Sequence, residues 1–468
     1  MEYKWKVLTV TTIGTFMAYL DSSIIVVGLP TVIEDLNTSL FSGIWVIIGY
    51  RLIFTILLVA IGRMADIIGR VKLYNTGFAI FTAGSALCAL SQTIEMLIAF
   101  RLIQALGGAL IIVNNLAIIT DSFPTSELGK AIGINVMAIN AGTVTGYVLS
   151  GVMIGLFGWQ SIFWLNVPIG VFGTFWCHKR LKELYTKTTQ QKYDYAGAVI
   201  FSASLTLLLI GMTEDLRNQS IQMLLALSGI LFVAFLFYER RVHQPIMDMT
   251  LFRIRSFTAG NIASLLNGLT FSALAFELTL YLQLVRGFSA FQAGLALLPM
   301  DITTVLISPI SGYLSDKYGA RGLTAIGLGI GSVALVLFAN LSLESSSILV
   351  IVSLALAGAG VGLFRSPNLS SIMGSIPPER RGIGNGVRST IWNSSIATSI
   401  PLAMALMTVV MPYDKLASIV NVSTLGNQPE TLGLLSAINY AFYALAIINA
   451  LGAIASTFRE SKHKTESS

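Results

Sequence analysis

Five ionisable side chains sit where a charge is hardest to keep. Asp21, Arg51, Arg101, Glu277 and Asp301 each fall well inside a long apolar run of the 468-residue chain. A charge at the centre of a membrane-spanning helix costs on the order of 3 kcal/mol unless it is paired or hydrated, so residues placed there mark function by default. The chemistry open to them is the binding and release of a proton or a charged ligand. Asp21 and Arg51 lie at similar depth on consecutive runs, and an ion pair between them is expected. Glu277, between Phe276 and Leu278, and Asp301, after Pro299 and Met300, have no basic residue at their depth in their own half of the chain. They are the candidate proton carriers, Glu277 first. Two structural alternatives stand beside this reading: Arg101 as a donor to backbone carbonyls, and Asp21 with Arg51 as a pair that only holds helices together.

The elements that carry these residues are set by composition. Hydrophobic residues make up 54% of the chain and charged residues 11%, with a mean hydropathy of +0.76. A soluble domain carries about 25% charged residues, so a soluble globular protein is excluded. Fourteen apolar runs of spanning length, the first at 7–29 and the last at 432–458, fall into groups of six, two and six. Lipid offers backbone groups no outside partner, so such runs are helical. The expected fold is an all-α polytopic membrane protein of two six-helix half-repeats plus two inserted helices, 14 transmembrane helices in all. The halves are 1–177 and 257–468, and the linker 178–256 holds the inserted pair. The start of the chain reads as the first of these helices rather than as a cleaved leader.

With the N-terminus inside, 24 Lys and Arg fall on the inner side, and only Arg217, Arg286 and Lys415 on the outer. That bias places both termini in the cytoplasm of a multi-pass protein of the plasma (inner) membrane. The pI near 9.2 therefore reports topology and not nucleic acid. Cys88 and Cys177 end on opposite sides in this topology, which excludes a disulfide between them. No phosphate-binding loop and no cluster of His, Cys and carboxylates suited to a metal is present in the sequence. No cofactor is expected, and an ion gradient is the expected energy source.

An internal repeat links the halves. Gly62, Asp66 and Gly69 recur as Gly312, Asp316 and Gly319 at a constant offset of 250, each set between the second and third helix of its group. The glycines suit a tight turn, Asp66 suits the start of a helix as its cap, and Arg63, Arg70 and Lys72 cannot cross the bilayer. In the fifth helix Ala138, Gly142, Gly146 and Ser150 recur every four residues, a small-residue face for close helix packing.

With the 62–72 loop and its repeat, the chain resembles the major facilitator superfamily over nearly its whole length. Leu20-Asp21-Ser22-Ser23, the 158–170 stretch Gly-Trp-Gln-Ser-Ile-Phe-Trp-Leu-Asn-Val-Pro-Ile-Gly, and Arg101 with Gln104 and Gly107 are similar to its 14-helix drug:proton antiporter branch. Two departures stand out: Ala105 where that branch has glycine, and Tyr147 after Gly146 where its fifth-helix signature has proline. The resemblance implies a secondary transporter and not an enzyme, exporting lipophilic, cationic compounds in exchange for protons by alternating access and working as a monomer. Asp21, Arg51, Arg101, Glu277 and Asp301 would then bind substrate and protons. Gly62, Arg63, Asp66, Gly69, Arg70, Gly312, Asp316 and Gly319 would act in conformational gating, and Gly142 and Gly146 in helix packing. The alternatives are a proton-coupled carrier dedicated to one metabolite and a transporter-like membrane sensor without flux.

Overall fold

The computed structural model describes residues 2–183, 194–242, 245–377, 380–419 and 428–459. The helices of the first half are α1 (Tyr3–Asp35), α2 (Leu40–Ile68), α3 (Arg70–Ala89), α4 (Ile94–Ser122), α5 (Thr125–Phe157), α6 (Ser161–Trp164) and α7 (Asn166–Arg180). The inserted pair is α8 (Tyr195–Met212) and α9 (Gln219–Glu239). Then come α10 (Arg255–Leu280), α11 (Ala290–Tyr318), α12 (Ala320–Phe338), α13 (Ser347–Gly374), α14 (Arg381–Val410), the short α15 (Tyr413–Ala417) and α16 (Gln428–Thr457). Two compact units emerge: Met1–Tyr193 with Phe288–Leu295, and Asp194–Gly287 with Ala296–Ser468. The inserted helices group with the second, where α8 packs on α9 and touches α14.

Packing repeats between the units. In the first, α1 lies on α5, and α3 on α4 and α7; in the second, α10 lies on α14, and α12 on α13 and α16. The α1–α5 contact is close because α5 offers no side chain there. A Cβ on Gly142 would stand 2.6 Å from the Phe16 carbonyl oxygen, and one on Gly146 2.7 Å from that of Leu20. One turn further, Ser150 donates to the Ile24 carbonyl at 2.8 Å, tying the two helices where the backbones converge.

Among the described residues, 12 helices are long and apolar enough to cross a membrane. The two of the expected fourteen that fall short are not the inserted pair but the third and the sixth. α3 opens on Arg70, Lys72 and Asn75. The sixth is broken after Trp164, and its longer piece, α7, has 15 residues. A helix covered by neighbours needs less apolar surface than one bathed in lipid, and α3 buries Tyr74, Phe78 and Phe81.

Two sequence expectations change here. α2 continues to Ile68, so Gly62, Arg63 and Asp66 are helical residues, and Asp66 stands in the last turn of α2 rather than at a helix start. The turn is made by Gly69 alone, at φ +117°, and by Gly319 at φ +85° in the repeat, backbone angles that favour glycine. α13 runs to Gly374, ten residues beyond the apolar run that announced it, and so places Arg365 inside a helix rather than in an inner loop. The inner count of basic residues loses one, and its bias stands.

Candidate functional site

In the first unit Asp21 and Arg101 sit in a buried hydrogen-bond network. Asp21, midway along α1, is completely buried, as are Arg101 and Gln104 on α4. Three residues separate Arg101 and Gln104, so both project from one face of α4. Arg101 Nη1 donates to Asp21 Oδ2 at 2.8 Å and to Gln104 Oε1 at 2.6 Å. Gln104 Nε2 donates to Asp21 Oδ1 at 2.9 Å and to Ser85 Oγ of α3 at 2.7 Å. Asn166 Nδ2, from the first residue of α7, reaches the same Asp21 Oδ1 at 2.8 Å. Arg101 also donates through Nε to the Val46 carbonyl of α2 at 3.2 Å, and its guanidinium lies 4.5 Å from the centre of the Tyr50 ring. The Asp21 carboxylate thus holds donors from two side-chain amides and a guanidinium, and a buried charge needs such partners.

The expected Asp21–Arg51 pair does not form. Arg101 takes Asp21, and Arg51 Nη2 donates to Ser22 Oγ at 2.6 Å. Equal depth was the argument for that pair, but successive helical residues point about 100° apart, so Asp21 and Ser22 address different neighbours. Arg101 satisfies a backbone carbonyl, as its structural reading expects, and also takes the role of counter-charge to Asp21 expected of Arg51. Gln104 and Asn166 lie in motifs the sequence displays, but nothing local in those motifs marks their amides as partners of Asp21. A search for buried amides one turn from each buried charge would have found Gln104.

The second unit handles its charges differently. Glu277 of α10 is completely buried, and neither carboxyl oxygen has a hydrogen-bond partner among the described residues. Asp301 of α11 interacts electrostatically with Arg365 of α13. That corrects the expectation of an acid without a basic neighbour; Arg365 escapes the sequence reading because the apolar run that announces α13 stops at Phe364, the residue before it. The Arg365 guanidinium also lies 5.0 Å from the centre of the Trp392 ring. Arg388, in the second turn of α14, is held by Asn385 Oδ1 at 3.1 Å and Ser389 Oγ at 3.3 Å.

The turn motif is organised by residues outside it. Arg70 Nη1 bridges both oxygens of Asp121, at the end of α4, at 2.8 Å. The backbone N–H groups of Arg70 and Val71, the first two of α3, donate to the Glu183 carboxylate at 3.1 and 3.0 Å. Glu183 therefore caps α3; the side chains of Arg63 and Asp66, and with them the expected capping role of Asp66, lie outside the described residues. In the repeat, Gly312 is a helical residue of α11 and Asp316 is exposed near its end.

Comparison with known proteins gives the same architecture. The family model of the Major Facilitator Superfamily matches residues 11–400. The chain is 33% identical to the riboflavin transporter RibZ of Clostridioides difficile, over 85% of this chain and 87% of that protein. It is 31% identical to the multidrug resistance protein Stp of Mycobacterium tuberculosis, over 82% of this chain and 72% of that one. Among solved structures, a bacterial homologue of the human lysosomal transporter Spinster, in an inward-facing and unoccupied conformation, matches with a TM-score of 0.73 at 15% identity, covering 99% of both chains. With helices, repeat and family model in agreement over most of its length, the chain belongs to the Major Facilitator Superfamily and is a membrane transporter, not an enzyme.

Proposed function

We propose that this transporter exports a lipophilic, cationic small molecule in exchange for protons by alternating access, with Glu277 as the residue that carries the proton. The observation that carries the reading is the contrast between the two buried acids. Asp21 is neutralised by Arg101 and holds three donors, whereas Glu277 has none among the described residues. A carboxyl group without donors releases or takes a proton without breaking a protein hydrogen bond. Its bare charge is costly when dry, so a proton or an organic cation must compensate it. Exchange follows when the two compete for that one charge. Support for a drug as substrate comes from the similarity to a multidrug resistance protein.

In this reading α3 and the broken α6–α7 segment complete 14 crossings, and the basic bias holds both termini in the cytoplasm of the plasma membrane. Arg51 and Asp301 would line the substrate path, and the Gly69 and Gly319 turns would gate its opening. A second reading, a carrier dedicated to one metabolite, is favoured by the similarity to a riboflavin transporter. Flux of tetraphenylphosphonium and of riboflavin in proteoliposomes, with and without an imposed pH gradient, tests both. Gradient-driven uptake of the cation, abolished by Glu277→Gln, is expected; gradient-driven flux of riboflavin alone would replace the first reading with the second.

A further inference from the structure

On the first unit, α5 and α7 both flank α1, and each packs on α6 at the end remote from the N-terminus. The gap between them is a groove of about 770 Å³ floored by α1, a volume typical of ligand sites. Ile13 and Phe16 of α1, Met137 and Ala141 of α5, and Phe172 of α7 line it. Its rims are open, with Met137 62% and Phe172 47% exposed. The one polar side chain of the lining is Thr12, whose hydroxyl is buried without a hydrogen-bond partner among the described residues.

The mouth of the groove has the opposite character. Continued by one or two turns towards the N-terminal end of the unit, the groove face of each helix reaches a lysine: Lys6 on α1, Lys130 one turn before Ile134 on α5, and Lys179 two turns beyond Phe172 on α7. None of the three enters an ion pair among the described residues, and Lys130 and Lys179 are exposed. Lys130 Nζ lies 5.4 Å from the Trp5 ring, which brings α5 and α1 together at the mouth. On the other side Phe172 stacks on Trp176 at 5.3 Å, and the indole N–H of Trp176 is buried and unpartnered.

An open-rimmed apolar trough with an unpartnered hydroxyl in its lining, continued on its three helices by three lysines and an indole N–H without a partner among the described residues, has the layout of one lipid molecule. We propose that the α1–α5–α7 groove binds a single anionic phospholipid of the leaflet next to the N-terminus, which is the inner leaflet in the orientation proposed above. An acyl chain lies along Phe16, Ala141 and Phe172. The phosphate meets Lys6, Lys130 and Lys179 with the Trp176 N–H as donor. An ester carbonyl accepts from Thr12. Charge selects the occupant: a cationic drug would be repelled by the same lysines, and a neutral lipid would leave them uncompensated.

Native mass spectrometry of the detergent-purified protein, titrated with phosphatidylglycerol or with phosphatidylcholine bearing the same palmitoyl and oleoyl chains, tests the assignment. Wild-type protein is expected to bind one phosphatidylglycerol at least ~10-fold more tightly than phosphatidylcholine. Each lysine should contribute roughly fivefold at low salt, so the Lys6→Gln, Lys130→Gln, Lys179→Gln triple variant should bind the two lipids alike. Ala141→Trp, which fills the trough from an exposed position, should weaken both lipids. Trp176→Phe should weaken phosphatidylglycerol alone, and glycerol 1-phosphate without chains should not compete. Equal binding of both lipids by the wild type overturns the proposal, as does retention of full preference by the triple variant. Displacement of bound lipid by tetraphenylphosphonium would make the groove a drug site and overturn it as well. None of these outcomes depends on whether the protein transports, so a failure of the proposed function leaves the lipid site standing.

Discussion

Asp21 and Arg101 show how a buried pair is made tolerable in an apolar bundle. The pair is electrically neutral, both Asp21 oxygens are occupied, and the guanidinium is spread over an acid, an amide, a carbonyl and the face of Tyr50. Removing one partner is far worse than removing both, because the survivor keeps its desolvation cost without its counter-charge. Arg101→Gln is therefore expected to destabilise the protein by about 3–5 kcal/mol, and Asp21→Asn by a comparable amount. The Asp21→Asn, Arg101→Gln double variant should recover at least half of the loss. Melting temperatures of the four proteins in one detergent give the comparison. A double variant as unstable as the sum of the singles would mean the two side chains are not energetically coupled.

At the scale of the elements, the open matter is which helices cross. The two segments not long and apolar enough to count as spans, the polar-opening α3 and the broken α6–α7, are the ones that the network recruits through Ser85 and Asn166. Ser85 and Asn166 are spent on hydrogen bonds within the unit, so hydropathy under-reports α3, and the break after Trp164 shortens α6–α7. A cysteine at Gln92, in the exposed link between α3 and α4, separates the two topologies. If α3 crosses, it is labelled by an impermeant thiol reagent only from outside; if α3 does not, only from inside. Cys88 and Cys177 are buried and free, and replacing both with serine removes the background. A second cysteine at Asn421, outside the described residues, should be labelled from outside. The same contrast explains what the sequence made legible. Helix existence and the repeat at offset 250 were plain because apolar runs and glycine turns are local signals. The pairing of Asp21 with Arg101 and the capping of α3 by Glu183 were not, because they depend on the angle around a helix axis and on residues 80 and more apart. Boundaries were the weakest link, and one of them hid Arg365 in a loop.

For the whole molecule the consequence lies in charge. Sequence placed one negative and two positive charges in the membrane part of the first half and two negative charges in the second, an excess of one acid that a proton or a monovalent cation would balance. Arg365 inside α13, within electrostatic reach of Asp301, offsets one of those acids, so a count of total charge is a weaker basis for exclusion of proton by cation than a single unpartnered acid. The local alternative places competition at Glu277, whose carboxyl oxygens have no hydrogen-bond partner among the described residues, whereas Asp301 has Arg365 as an electrostatic neighbour. The two accounts part on one substitution. If total charge governed, Arg365→Gln would restore the excess and strengthen cation binding over the whole pH range, about tenfold for a gain of ~1.4 kcal/mol. With competition local to Glu277, Arg365→Gln leaves the pH dependence of tetraphenylphosphonium binding intact, and Glu277→Gln removes it. Equilibrium binding to both variants and to the wild type between roughly pH 5 and pH 8, the interval in which buried acids titrate, decides between them. Persistence of the pH dependence in Glu277→Gln, with its loss in Asp301→Asn, would move the proton to α11 and leave Glu277 a structural acid.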